Sequence, residues 1–106
     1  MQVIPLQPVA NQIITPVVNG QNCQFNVYQK NTGLFIDILV NNTLILGGIL
    51  ARNMTLLVMT PYLGFVGDLI FMDTQGSNDP VYEGLGSRYL LMYVAPSEIP
   101  TSSVYN

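Results

Sequence analysis

The sequence predicts an all-β protein, a small antiparallel β-barrel or sandwich of about six to eight strands with extended termini. Three observations carry this. Apolar and polar residues alternate over short runs, turn residues punctuate those runs at close intervals, and no stretch of about ten residues carries a helical apolar stripe.

The elements follow in order. From Cys23 to Val27 the apolar side chains Cys23, Phe25 and Val27 alternate with Gln24 and Asn26. From Leu34 to Val40 one face is Leu34, Ile36, Ile38 and Val40, and the other is Phe35, Asp37 and Leu39. Asn19-Gly20 is the strongest turn signal, because a two-residue type I′ turn needs positive φ at both positions. Lys30 to Gly33 closes the next hairpin, Asn41-Asn42 a third, and Arg52-Asn53 a fourth. The spacing predicts a meander of about five strands from Ile13 to Thr60. Pro61 ends it, and two further strands are predicted over Leu69 to Asp73 and Arg88 to Ala95. Pro5, Pro8 and Pro16 at one end, with Pro96 and Pro100 at the other, predict extended arms rather than internal strands. The whole chain, 1–106, reads as a single β domain.

Composition narrows the function. Apolar residues make up 49% of the chain, enough for a core, but only 8% are charged, where a soluble domain has roughly 25%. A surface so poor in charge predicts coverage by partner proteins, since interface cores are depleted in charge in the same way. Net charge is -3, with Lys30, Arg52 and Arg88 the only cations. Nucleic-acid binding needs several basic groups and is excluded as an expectation, and an anionic membrane surface is disfavoured likewise. No apolar run approaches the roughly 20 residues that span a bilayer as a helix. No signal-peptide pattern is visible, so the N-x-T sequons at Asn41 and Asn53 read as chance matches.

Enzymatic chemistry is thinly supplied, and the expectation is a non-enzyme without cofactor or metal. There is no histidine, which removes imidazole as a base or ligand. Cys23, inside an alternating strand, reads as a core thiol. Asp73-Thr74-Gln75-Gly76 resembles half of a carboxylate dyad, but a dyad needs two such loops. Asp73, Asp79 and Glu83 could gather around a cation, yet their spacing lacks the dense alternation of a calcium loop. Turn capping and an ion pair with Arg88 are the better expectation for them. Gly84 and Gly86 precede a strand rather than a helix, so they are not a phosphate loop.

The connection from Thr74 to Ser87 is long for a small domain, and its Gly and Pro content predicts an ordered loop that carries function. Its candidate residues are Asp73, Gln75, Gly76, Asp79, Pro80, Tyr82, Gly84, Gly86 and Arg88, with Tyr62 and Gly64 in the preceding loop. A second candidate is the run Leu44, Ile45, Leu46, Gly47, Gly48, Ile49, Leu50, which has no polar face. One small core can bury only one face of that strand, so the other predicts an interface and self-association.

The stretch Pro61 to Val94 resembles a family of small phage tail proteins, the baseplate plugs of contractile-tailed phages, described in a cyanophage. The matching elements are Pro61-Tyr62-Leu63-Gly64, Asp73-Thr74-Gln75-Gly76, Asp79-Pro80 with Tyr82, and Gly84-Leu85-Gly86-Ser87-Arg88-Tyr89-Leu90-Leu91; Ile4 to Pro8 and Asn19-Gly20 also fit the layout. The resemblance implies a virion structural protein at the tube–hub junction of the tail baseplate, closing the lumen before DNA ejection. It implies assembly in the host cytoplasm and contacts with hub, tail tube and tape measure. The alternatives are another tail adaptor or assembly protein, or a small ligand-binding β-module using loop tyrosines such as Tyr62, Tyr82 and Tyr105.

Overall fold

The computed structural model describes residues 2–59 and 65–98. Eight strands run in chain order: β1 (Gln2–Ile4), β2 (Asn11–Ile14), β3 (Val17–Val18), β4 (Gln21–Lys30), β5 (Gly33–Val40), β6 (Thr43–Leu50), β7 (Asp68–Asp73) and β8 (Tyr89–Val94). They form two antiparallel sheets. One is ordered β1-β8-β7; the other is β2-β4-β5-β6, with β3 also pairing β4. Neither closes into a barrel, so of the two predicted architectures the chain adopts the sandwich. Helical structure among the described residues is limited to two single 3-10 turns, Tyr82–Gly84 and Pro96–Glu98.

The hairpins form where the turn residues place them. Asn19 and Gly20 have φ of 49° and 75°, and Asn41 and Asn42 have 51° and 64°. Asparagine tolerates this left-handed region better than other residues with a side chain. The turn after Lys30 holds β4 and β5 in register from Cys23↔Val40 to Lys30↔Gly33. That register sends Cys23, Phe25, Val27, Leu34, Ile36 and Ile38 inward, all at most 4% exposed. From the other sheet Leu69, Phe71, Leu91 and Tyr93 meet them. Phe65 stands edge-on to both Phe25 (6.3 Å) and Tyr93 (5.9 Å), so one aromatic chain crosses from sheet to sheet. Each such pair contributes about 0.5–1.5 kcal/mol beyond area burial.

Neutral amides fasten the loops. Gln21 Nε2 donates to Val66 O and Val66 N donates to Gln21 Oε1, at 3.1 and 2.8 Å, so one side chain pairs with a backbone residue as a strand would. Gln12 binds Gln7 in the same two-bond manner, at 3.0 and 2.7 Å.

Three expectations need correction. The N-terminal arm is not free, because Gln2–Ile4 pairs with β8 and buries Ile4. Pro5 has no N–H to extend that ladder. Pro100 and Tyr105, in the predicted C-terminal arm, lie outside the described residues.

Second, Arg52-Asn53 does not turn into another meander strand. Residues 51–59 instead cross to the other sheet as a strap along β7, with Met54 N on Phe71 O (2.7 Å), Leu57 N on Leu69 O (3.0 Å) and an isolated parallel bridge Asn53↔Phe71. Asp68 pins this strap. Its buried carboxylate accepts from four backbone amides: Leu57, Val58 and Leu69 on Oδ1 and Met59 on Oδ2, at 2.7–3.0 Å. Met54 and Met59 hold φ of 55° and 60°, each at a cost of about 1–2 kcal/mol for an L side chain.

Third, β6 does not present two continuous apolar faces. Register shifts interrupt the β5–β6 ladder around Ile38, and Gly48 takes φ 66° beside Gly47 in a bulge. Alternation is lost there, so Ile45, Leu46 and Ile49 all pack against the core. Leu44 shares the outer face with Leu39 and is 59% exposed.

The strap yields a paired prediction. Asp68→Ala removes an acceptor from four amides, of which Leu57 N keeps the Leu69 carbonyl; at about 1–3 kcal/mol for each buried amide left unsatisfied, it should lower stability by about 3 kcal/mol or more. Met54→Gly should instead raise it by about 1 kcal/mol through relief of the left-handed strain. Denaturant unfolding of the two variants checks both signs.

Candidate functional site

The long loop between β7 and β8 is closed by an ion pair at its neck. The strands end at the pair Asp73↔Tyr89, which brings Arg88 beside Asp73. Arg88 Nε donates to Asp73 Oδ1 and Nη2 to Oδ2, both at 2.9 Å, the two-pronged geometry that a planar guanidinium favours. The Asp73 side chain is fully covered and that of Arg88 is 32% exposed. Gln75 N and Asn78 N also donate to the Asp73 carboxylate, at 2.9 Å each. Thr74 adds a third tie, its N and Oγ1 both donating to Arg88 O at 2.8 Å. The hydrogen bond from Arg88 outweighs the effect of burial and holds the Asp73 carboxyl far below the usual carboxylate range. The same bond pushes the Arg88 guanidinium further up. Its carbon lies 5.1 Å over the Tyr89 ring.

The loop is tied to three other segments. Asn53 of the strap accepts from Asp73 N (2.8 Å), and its own N donates to Asp79 Oδ1 (2.9 Å). Tyr82 N donates to Gln29 Oε1 of β4 at 3.1 Å. Gly86, at φ 84°, passes so close to the N-terminal arm that a Cβ there would collide with the Leu6 carbonyl oxygen. Pro80 and Leu85 are buried and Tyr82 packs against the core, while Gln75, Gly76, Asp79, Glu83 and Gly86 are exposed.

Asp73, Asp79 and Glu83 are not gathered into a set that could hold a metal ion; among the described residues no group of three such side chains is. Tyr62 and Gly64 lie outside the described residues. The interface residues divide: Leu44 and Leu50 share the outer face with Leu39 and Phe35, whereas Ile45, Leu46 and Ile49 pack on the core.

That outer face of the five-stranded sheet is the second surface of note. Tyr28 and Phe35 stack at 6.0 Å, with Lys30 Nζ 5.4 Å from each ring centre. Between this row and the Leu39–Leu44 row stands Asp37, whose Oδ1 accepts from the Tyr28 hydroxyl (2.9 Å) and from Gly48 N (2.7 Å). Burial, and then Asp37 beside it, push the Tyr28 hydroxyl up. A cleft of about 340 Å³ opens nearby, lined by Thr15, Asn22, Cys23, Gln24, Asn41 and Asn42. Burial raises the Cys23 thiol, which lowers its thiolate fraction and so its reactivity.

Asn53, Asp68 and Asp37 were missing from the candidate residues. For the two aspartates a signal exists, since each interrupts an apolar run where a strand prefers none. Asn53 offers none, because its partners lie 20 and 26 positions away in the chain.

A family model described as cyanophage baseplate Pam3 plug gp18 matches residues 1–96 of the 106-residue chain. A comparison with curated proteins finds no match.

The Asp73 geometry sets a pH dependence. A carboxyl whose folded pKa is depressed stabilises the fold above its ordinary value near about 4, and that contribution is lost as pH falls further. Asp73→Asn should therefore melt well below the wild type at neutral pH, and the gap should shrink below about pH 4. Thermal melts of both proteins across an acid series check this.

Proposed function

The chain belongs to the cyanophage baseplate plug family, and from that membership we propose that it sits at the tube–hub junction of a contractile tail and closes the lumen before DNA ejection. The family is a structural class rather than an enzyme class, its members are virion tail components, and they associate with other baseplate proteins. The hub, the tail tube and the tape measure are the partners in this reading, with assembly in the host cytoplasm. The observation that carries it is the match over nearly the whole chain.

The surface supports the role. A plug performs no chemistry; it needs contacts that hold in the resting tail and release on contraction. Only 8% of the residues carry charge, so contact is made mostly through amides, backbone and apolar groups. The rigid loop from Asp73 to Arg88 and the edge strand β6, which has no charge and no proline, are suited to that. Self-association belongs to the same reading through the free backbone edge of β6, which leaves the outer sheet face, where Leu44 rather than Ile45 or Leu46 is exposed, to another baseplate protein.

Phage deleted for the gene and complemented in trans provide the test. Without complementation, purified particles should release DNA prematurely, read as nuclease-sensitive genome. Complementation with Leu44→Lys should give a folded protein, since that side chain is 59% exposed, but poorer rescue. Deletion particles that retain their DNA as the wild type does would refute the plug role.

A further inference from the structure

We propose that the outer face of the five-stranded sheet receives a neighbouring baseplate protein, which places a lysine or arginine side chain on Asp37. The inference rests on the baseplate reading above and adds the chemistry of the partner.

The carboxylates of the chain are engaged unequally. Asp68 and Asp73 are consumed internally by backbone amides and Arg88, and Asp79 holds Asn53 N. Asp37 differs, because it stands on a sheet face against which no other described strand packs, and it has no ion pair among the described residues. Its two oxygens are unequal. Oδ1 is occupied by the Tyr28 hydroxyl and Gly48 N, whereas Oδ2 has only a long 3.5 Å contact from Asn26 Nδ2. The occupied oxygen fixes the rotamer, and the other is left to accept from above the sheet.

The surroundings select the partner's character. Phe35 and Leu50 flank Asp37 on one side and Leu39 and Leu44 on the other, while Ile13, 66% exposed, lies beyond Asn26 in the Asp37 row. An apolar neighbour alone would bury an uncompensated carboxylate, which is costly. A polar neighbour alone would leave the leucine rows wet. A cationic side chain with an aliphatic stem satisfies both demands. Lys30 cannot serve from within the chain in this arrangement, since its ammonium lies over the Tyr28 and Phe35 rings.

The competing explanation is that Asp37 only shapes the β6 bulge through Gly48. Asp37→Asn separates the two, because an asparagine oxygen still accepts from Gly48 N and the Tyr28 hydroxyl but carries no charge. In deletion phage complemented in trans, D37N should keep the wild-type melting behaviour as purified protein and be lost from purified tails, read by quantitative mass spectrometry. Selection on D37R should yield second-site revertants with an acidic residue replacing a lysine or arginine in another virion protein. D37N incorporated at the wild-type level would overturn the proposal. So would revertants confined to Lys30 of this chain, which would make the partner a second copy. If D37R does not fold, D37N decides alone. Absence of the wild-type chain from purified tails would remove the baseplate reading as well, whereas normal wild-type and D37N incorporation removes only this contact.

Discussion

The structure depends most on one buried carboxylate. The chain must pass from the five-stranded sheet to the three-stranded one, and segment 51–59 makes that passage without being a strand. Met54 N and Leu57 N reach carbonyls of β7, but no regular ladder runs the length of the segment, and a buried N–H without a partner is costly, so further acceptors are needed. Asp68 supplies them, with Leu57, Val58, Leu69 and Met59 all donating to it. The strap then covers the edge of β7 and buries Ala51, Leu57 and Val58. Two methionines in left-handed conformation are the cost of bending a chain that has no glycine at those points.

The same economy runs through the rest of the molecule. With few charges to spend, the chain does most of its fastening with amides and backbone. Gln21 and Gln12 each pair with both the N–H and the C=O of a single residue, and Gln29 and Asn53 tie the long loop to β4 and to the strap. Where a charge is buried it is fully engaged, as at Asp73, with two donors from Arg88 and two from the backbone. No buried side-chain nitrogen or oxygen among the described residues lacks a partner. A protein built this way carries much of its internal order on neutral groups, and its remaining surface is poor in the strongly hydrated ions that resist close contact with another subunit.

That property connects fold to role. A structural element of a tail must be rigid alone and adhesive in company. Rigidity comes from the sandwich core, the aromatic contacts through Phe65 and the closed neck of the long loop. Adhesion is available on the outer sheet face, where Leu44 and Ile13 are exposed and Asp37 has an oxygen to offer.

The strands and hairpins were legible in the sequence because they are local. Alternation with period two decides which side chains face the core, and Asn19-Gly20 and Asn41-Asn42 carry their turn geometry in their own backbone preferences. Much of the loop's chemistry was legible too, since Asp73 and Arg88 flank two strand ends that an antiparallel hairpin brings together. What stayed hidden is what depends on distant partners. Nothing in Arg52 to Met59 announces a strap, because its acceptors are Asp68 and the carbonyls of Leu69 and Phe71. The alternation of β6 fails at a bulge that involves Gly48 and a carboxylate eleven residues earlier. The N-terminal arm becomes a strand only because β8, near the other end of the described chain, has an unpaired edge to offer. Periodicity and turn propensity are written residue by residue; hydrogen-bond acceptors and sheet edges exist only once the chain has folded.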